Sequence, residues 1–202
     1  MRRTKEEAEE TRSRLLEVGV RVFNERGYAD TRLEDIARAA GVTRGAIYHH
    51  FGNKVVLFKE IAIRNRKNTN ALIEIIKEEE ADNPINGIRK LLKELYRKLL
   101  KDSFFRDFEE LAQKTSYVGD LLEIKELLSE EVNNGYNDII KLLEDGKKAK
   151  KINKDINSEV YAMNMVFYII GLMRVVIFEF KQLPVKKNLN DSIELLLKPL
   201  SP

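Results

Sequence analysis

The chain has 202 residues, of which 43% are hydrophobic and 34% charged, and its formal net charge is +3. The length and composition predict one or two folded domains, and the small net charge argues against indiscriminate coating of nucleic acid. It contains no cysteine, which excludes disulfide bonds and thiolate chemistry. The N-terminus lacks the apolar core of a signal peptide and no apolar run reaches the length of a membrane span, so we expect a cytoplasmic protein without a membrane partner.

Almost the whole chain shows helical periodicity. Apolar residues recur at steps of three and four, and the alternation typical of strands is rare. The pattern predicts an all-α fold of about nine helices. We expect them near residues 5–26, 33–40, 44–51, 54–80, 84–101, 104–115, 121–145, 157–181 and 189–198. The basic segment at 146–154, GKKAKKINK, is interpreted as a solvated turn rather than a second nucleic-acid site.

The second and third helices are short, and local signals define their ends. Gly27 is expected to end the first helix as a C-terminal cap. Thr31 and Glu34 have the spacing of a capping box, in which each side chain bonds the other residue's amide. Gly41 lies where the chain must reverse, and a left-handed backbone is accessible to glycine. Thr43 is a good N-cap for the third helix. Two short helices joined in this way predict a helix-turn-helix that reads the DNA major groove.

A helical wheel at about 100° per residue separates two faces of the third helix. The inner face carries Ala46, Ile47, His50 and Phe51, and the outer face carries Arg44, Gly45, Tyr48 and His49. Arg44 can bond a guanine edge in two places, and Gly45 allows close backbone approach. Tyr48 and His49 can reach a phosphate or a thymine methyl group. For His50 a packed, hydrogen-bonded histidine and a phosphate contact remain equally open.

The start of the fourth helix adds a candidate phosphate contact. Asn53 is a good N-cap, and Lys54 with the free amides beside it forms a natural phosphate site. The alternative for all of these residues is a three-helix packing unit with a polar surface. The combination of an arginine, a glycine, an aromatic residue and a histidine on one outer face favours DNA binding.

Residues 8 to about 60 resemble the N-terminal domain of the TetR family of one-component transcriptional regulators. The resemblance rests on RVFNERGY and on TRLEDIARAAGVTRGAIYHHFGNKVVLF; RTKEEAEETR and GVTRGAIYHHF look most like the repressors of multidrug efflux pumps within that family. It implies a helix-turn-helix DNA-binding domain at 1–54 and a larger helical domain for ligand binding and dimerisation at 55–202. It also implies operator contacts by Thr31, Thr43, Arg44, Tyr48, His49, His50 and Lys54, to which the wheel adds Gly45.

The larger domain carries more bulky residues than one packed face needs. Because the same helices enclose a ligand cavity in the family, some of these residues are expected to line it, and a plain core is the alternative for each. Aromatic and methionine side chains suit a pocket for flat apolar molecules. Glu109, Glu110 and Arg174 are candidates to orient a charged ligand, and the alternative for each is a surface residue or an ion pair. The candidate lining residues are Tyr96, Phe104, Phe108, Tyr117, Phe167, Tyr168, Met173 and Arg174.

The last two helices carry apolar residues beyond what a single bundle buries. The resemblance implies that they form a four-helix interface between two copies, which would place two reading helices about one DNA turn apart. The residues expected there are Val175, Val176, Phe178, Phe180, Ile193, Leu196 and Leu197.

These features predict a ligand-responsive transcriptional regulator. We expect a repressor that binds a palindromic double-stranded DNA operator as a homodimer and is released by a small apolar or aromatic molecule. An efflux transporter is the expected regulated product. Helix four is expected to couple ligand binding to DNA binding. The alternative is a DNA-bound adaptor or metabolic regulator without a drug-like ligand. No nucleophile or metal-ligand pattern appears and both histidines lie on helix three, so no enzyme, cofactor or metal is expected.

Overall fold

The computed structural model describes residues 5–180 and 182–202. Its regular structure over those residues consists of helices, as the all-α prediction requires. The α-helices are α1 Lys5–Arg26, α2 Leu33–Ala39, α3 Arg44–Phe51, α4 Lys54–Glu79, α5 Pro84–Lys101, α6 Ser103–Lys114, α7 Leu122–Lys148, α8 Ser158–Ile177 and α9 Val185–Leu197. Short 3₁₀ helices precede α7 at Gly119–Leu121 and follow α9 at Lys198–Leu200.

Three predicted helix boundaries differ from the observed ones by more than one residue. The helix expected to end at Lys181 ends at Ile177, and its predicted last residue lies outside the described residues. The final helix begins at Val185, four residues before the predicted start. The helix expected to stop at 145 continues to Lys148, so Gly146 is a helical residue rather than the start of a loop. Glycine suits this position because a Cβ there would lie only 2.6 Å from Ile152 Cδ1.

Packing divides the chain into two units. Unit 1 comprises Met1–Lys67 and Ser103–Glu126, and unit 2 comprises Asn68–Asp102 and Leu127–Pro202. Helices α4 and α7 therefore each contribute to both units. The predicted division after residue 54 concerns the DNA-binding function and stays a prediction; by packing, α6 and the first half of α4 belong with the N-terminal helices.

The core of unit 1 is formed by α1 and α4, and the candidate DNA-reading helix α3 is joined to it through α2. Phe23 on α1 and Phe58 on α4 lie with Tyr28 in a three-ring cluster whose centroids are 5.5 to 5.6 Å apart. Gly19 allows close approach of α1 to α4, because a Cβ there would lie 3.3 Å from Ile61 Cδ1. Helix α2 packs on α1, and α3 packs on α2. Burial of the Phe23 and Phe58 rings stabilises the packing of α1 against α4.

Unit 2 has its own core, in which α5 packs against α8 and α9. Leu92 and Met165 are buried there together with Ile193 and Leu197 of α9. Ile193 and Leu197 were expected on a dimer surface, and that expectation is wrong. They lie on the face of α9 that turns toward α5 and α8, and burial in the unit's own core removes them from the surface.

The expectation that no apolar run reaches the length of a membrane span is wrong for α8. Ser158–Ile177 is long and apolar enough to cross a bilayer by length and composition alone, and it is the one such helix among the described residues. Only 17% of its most apolar window is buried. Core helices pass the same test of composition, so the notable property of α8 is its exposed apolar face.

Candidate DNA-binding site

The turn between α2 and α3 has the geometry predicted for it. Gly41 adopts a φ of +66°, in the left-handed region that favours glycine. The amide of Val42 donates to the carbonyl of Ala37 at 3.0 Å. Thr43 caps α3, because its hydroxyl oxygen accepts from the amide of Ala46 at 3.2 Å. These contacts confirm the helix-turn-helix at this place in the chain.

The two faces of α3 also match the helical wheel. Arg44, Gly45, Tyr48 and His49 are exposed. Ile47 is buried, and Phe51 is buried with it. His50 is half-buried, with its ring centroid 5.7 Å from that of His49 and 6.0 Å from that of Phe51. The outer face is therefore accessible to a partner, whereas the contacts of its side chains with DNA stay predictions.

Thr31 has a structural place rather than a surface one. Its side chain is buried, with 1% relative exposure, and its hydroxyl donates to the carbonyl of Gly27 at 2.7 Å. The Thr31 side chain is therefore packed inside the free protein, and its operator contact stays a prediction. The predicted capping box is wrong, since Arg32 precedes α2 and its amide donates to Asp35 Oδ2 at 3.2 Å.

Glu34, released from the predicted capping role, contacts the candidate reading helix. Its Oε1 accepts from the Tyr48 hydroxyl at 3.0 Å and lies 3.1 Å from Nε of Arg44. A backbone hydrogen bond at Glu34, the Tyr48 hydroxyl and the charge of Arg44 all lower the pKa of this carboxyl group. The sequence analysis missed the contact of Glu34 with α3. The only hint in the sequence was that Glu34 stands next to Asp35, which accepts from the Arg32 amide at the start of α2.

Lys54 is engaged within the protein. Its ammonium group donates to the carbonyls of Tyr28 at 2.7 Å and Ala29 at 3.2 Å, and lies 4.2 Å from the centroid of the Tyr28 ring. Asn53 caps α4 as predicted, because its side-chain oxygen accepts from the amide of Val56 at 2.9 Å. Lys54 thus holds the α1–α2 connection to the start of α4, and its phosphate contact stays a prediction for the ammonium group's remaining N–H.

Helix α6 and the 3₁₀ helix Gly119–Leu121 are hydrogen-bonded to α1 and to the segment that follows it within unit 1. The Asn24 side chain donates to the carbonyl of Asp107 at 3.3 Å. The hydroxyl of Tyr28 donates to Asp120 at 3.0 Å, and burial together with this carboxylate raises the pKa of Tyr28.

Three of the predicted ligand-lining residues belong to unit 1. Phe108 is buried in its core. Phe104 lies beneath Arg64, whose guanidinium carbon is 4.5 Å from the ring centroid. Tyr117 is half-buried, and burial, with the nearby charge of Glu109, raises the pKa of its hydroxyl to about 12. This is the environment of packed residues, and a ligand contact by any of them stays a prediction.

The other five belong to unit 2, where they are spread over separate features. Phe167 and Tyr168 border an apolar groove of about 360 Å³ between α8 and α9. Tyr96 borders a second groove of about 630 Å³. Met173 is half-buried, and the guanidinium carbon of Arg174 is 5.1 Å from the Phe178 ring. Within the described part of unit 2, these five residues do not surround a single enclosed cavity.

An exposed apolar stripe on α8 was not foreseen as a unit. Phe167 is 60% exposed, and three further apolar residues share its face at steps of three and four: Val160, Met163 and Ile170. We call these four residues the α8 stripe. Their spacing is visible in the sequence, but Phe167 was assigned to a ligand pocket and the stripe was overlooked.

Both the sequence and the fold are similar to those of known proteins. Residues 15–61 match the family model described as "Bacterial regulatory proteins, tetR family". The chain is 35% identical to the HTH-type transcriptional regulator TtgR of Pseudomonas putida, covering 86% of this chain and 83% of that one. It is 32% identical to the HTH-type transcriptional regulator AcrR of Shigella flexneri, covering 98% and 92%. The structure resembles that of NalD, the secondary repressor of the MexAB-OprM multidrug efflux pump in Pseudomonas aeruginosa, with a TM-score of 0.79, 26% identity and 98% coverage of both chains.

Proposed function

The chain belongs to the TetR family of bacterial regulatory proteins, and from that premise we propose that it is a repressor that binds a palindromic operator as a homodimer and leaves it when a small apolar molecule binds. Membership of this family makes it a DNA-binding transcriptional regulator and not an enzyme. The proposal concerns the operator's symmetry, the oligomeric state, the ligand and the regulated gene.

The exposed outer face of α3 carries the proposal. The side chain of Arg44 is 74% exposed, at the first turn of the helix that follows Gly41. The first turn of a recognition helix is the part that meets base edges in the major groove. Tyr48 and His49 lie one turn further along the same exposed face, where contacts to phosphate would set the register on the duplex.

The α8 stripe supports a dimer. Four large apolar residues on one helical face, each more than two-fifths exposed, form a surface that a monomer in water leaves unpaired. A second copy of α8, related by a two-fold axis, would cover the same stripe from the other side. The two reading helices would then meet successive major grooves of a palindrome.

Control of an efflux transporter is proposed from the similarity to NalD, and release by an apolar ligand is proposed from the apolar grooves of unit 2. We propose that α4 couples ligand binding to DNA binding, because it follows α3 directly in the chain and contributes residues to both units. A ligand that favours one arrangement of α4 would change the spacing of the two reading helices. A DNA-bound adaptor without a drug-like ligand is the alternative.

Selection of binding sites tests the proposal. The protein is mixed with randomised duplexes long enough for two half-sites centred about 10 base pairs apart, and bound duplexes are sequenced. We expect a palindromic consensus, which Arg44→Ala should fail to bind while remaining a dimer. Specific binding by Arg44→Ala equal to that of the wild type would refute the assigned reading face. Release of the selected duplex by apolar efflux substrates would separate the ligand-responsive regulator from the adaptor.

A further inference from the structure

Glu34 joins the reading helix through a single oxygen atom. Both the Tyr48 hydroxyl and Nε of Arg44 approach Oε1 of Glu34, at 3.0 and 3.1 Å. The guanidinium carbon of Arg44 also lies 5.4 Å from the centroid of the Tyr48 ring. Three side chains from α2 and α3 therefore lie in one cluster, in which the exposed Arg44 forms an ion pair with one carboxylate oxygen.

The shape of the arginine side chain leaves its two terminal amino groups available to a base. A guanidinium group is planar and presents its N–H donors in a fixed fork. Contact through Nε occupies the part of the group nearest the chain. The two terminal amino groups form no hydrogen bond with any other residue that the structure describes. Two amino groups side by side match the O6 and N7 acceptors of a guanine edge.

Holding the side chain in advance favours base discrimination. A mobile arginine loses rotamer freedom each time it binds a base, and a side chain already held loses less. The negative charge of Glu34 has the opposite effect on binding to DNA in general, because it repels the phosphates. A carboxylate beside the reading face therefore lowers affinity for any DNA and raises discrimination at the base pair that Arg44 meets.

We propose that Glu34 is a positioning residue for base recognition, which orients Arg44 toward one guanine in each half-site of the operator. This inference rests on the proposed function and adds a residue and a base to it. Glu34 itself need not touch DNA. Its action through Arg44 distinguishes it from a simple repulsive charge, which would change affinity for all sequences equally.

Two conservative variants separate position from charge. Glu34→Gln keeps an oxygen at the place of Oε1, which can accept from the Tyr48 hydroxyl and lie beside Nε of Arg44, and removes the charge. Glu34→Asp keeps the charge and withdraws the oxygens by one methylene group. As a control, Glu25→Gln removes a charge from α1, where Glu25 lies 4.0 Å from Arg21 and does not contact α3.

The experiment measures dissociation constants for the duplex selected by the wild type, for duplexes with each base pair replaced singly, and for a scrambled duplex. We expect Glu34→Asp to lose roughly tenfold discrimination at one guanine position, the one that Arg44→Ala also affects. Glu34→Gln should keep that discrimination and bind the scrambled duplex more tightly, and Glu25→Gln should keep it too.

The opposite pattern overturns the proposal. If Glu34→Asp discriminates like the wild type at every position while Glu34→Gln only tightens binding uniformly, Glu34 is a repulsive charge and nothing more. Thermal unfolding of each variant shows that the folded protein is being compared. Failure of the proposed function is distinct from this result, because the wild-type protein would then select no consensus in the first place.

Discussion

Replacement of Phe167 by alanine tests the dimer surface with a magnitude taken from the structure. The Phe167 side chain is 60% exposed, and a phenylalanine of about 200 Å² then leaves about 120 Å² in water. At about 25 cal/mol per Å², covering that area contributes about 3 kcal/mol per copy, of which alanine would retain about a third. Because a two-fold interface contains the residue twice, we expect a loss of about 4 kcal/mol per dimer.

A loss of that size raises the dimer dissociation constant about a thousandfold. Sedimentation equilibrium over a range of concentrations measures it directly. Ile75→Ala is the matched control, because Ile75 is an apolar residue of similar exposure, 53%, on α4 rather than on α8. If Phe167→Ala and Ile75→Ala leave the dissociation constant equally unchanged, the α8 stripe is not the interface and the reasoning from its exposure is refuted.

Two further predictions concern stability within single units. Gly146→Ala should lower the free energy of unfolding by about 1–3 kcal/mol in urea titrations, because the new methyl group would meet the buried Ile152. The control is Gly135→Ala on the same helix, which has open space and should be neutral or stabilising by up to about 1 kcal/mol. Equal effects of the two substitutions would contradict this packing. Tyr28→Phe should cost about 1 kcal/mol by removing the hydrogen bond to Asp120, and an unchanged thermal midpoint would show that this bond contributes nothing to stability.

Local signals predicted the candidate site well where the chemistry is local. The cap at Thr43 and the left-handed turn at Gly41 each depend on a few neighbouring residues, and both are present. The outward position of Arg44 follows from helical periodicity alone. These features need no knowledge of the rest of the fold.

Features that depend on the angle between helices were missed. Glu34 and Asp35 are adjacent acids at the start of α2, and either has a plausible capping role in sequence. In the structure Asp35 accepts from the amide of Arg32, the N-cap of α2, whereas Glu34 accepts from the Tyr48 hydroxyl on α3. Similarly, Ile193 could have been assigned to the interior or to an interface, and only the packing of α9 on α5 and α8 decides that it is buried.

Ligand-lining residues were the least predictable part of the chain. Bulky apolar side chains occupy cores, interfaces and pockets alike, so composition does not separate these environments. Phe108 is in a core and Phe167 is on an exposed stripe, although both are phenylalanines within helices. What distinguishes them is the neighbouring helix, which the sequence does not state.

Hydroxyl-radical footprinting on the selected duplex tests the central claim most directly, because it reports specific binding and symmetry together. A dimer reading a palindrome through α3 protects two equal segments related by a two-fold axis, with centres about 10 base pairs apart, and Arg44→Ala protects neither. A single or asymmetric protected segment, or protection unchanged in Arg44→Ala, would contradict the account.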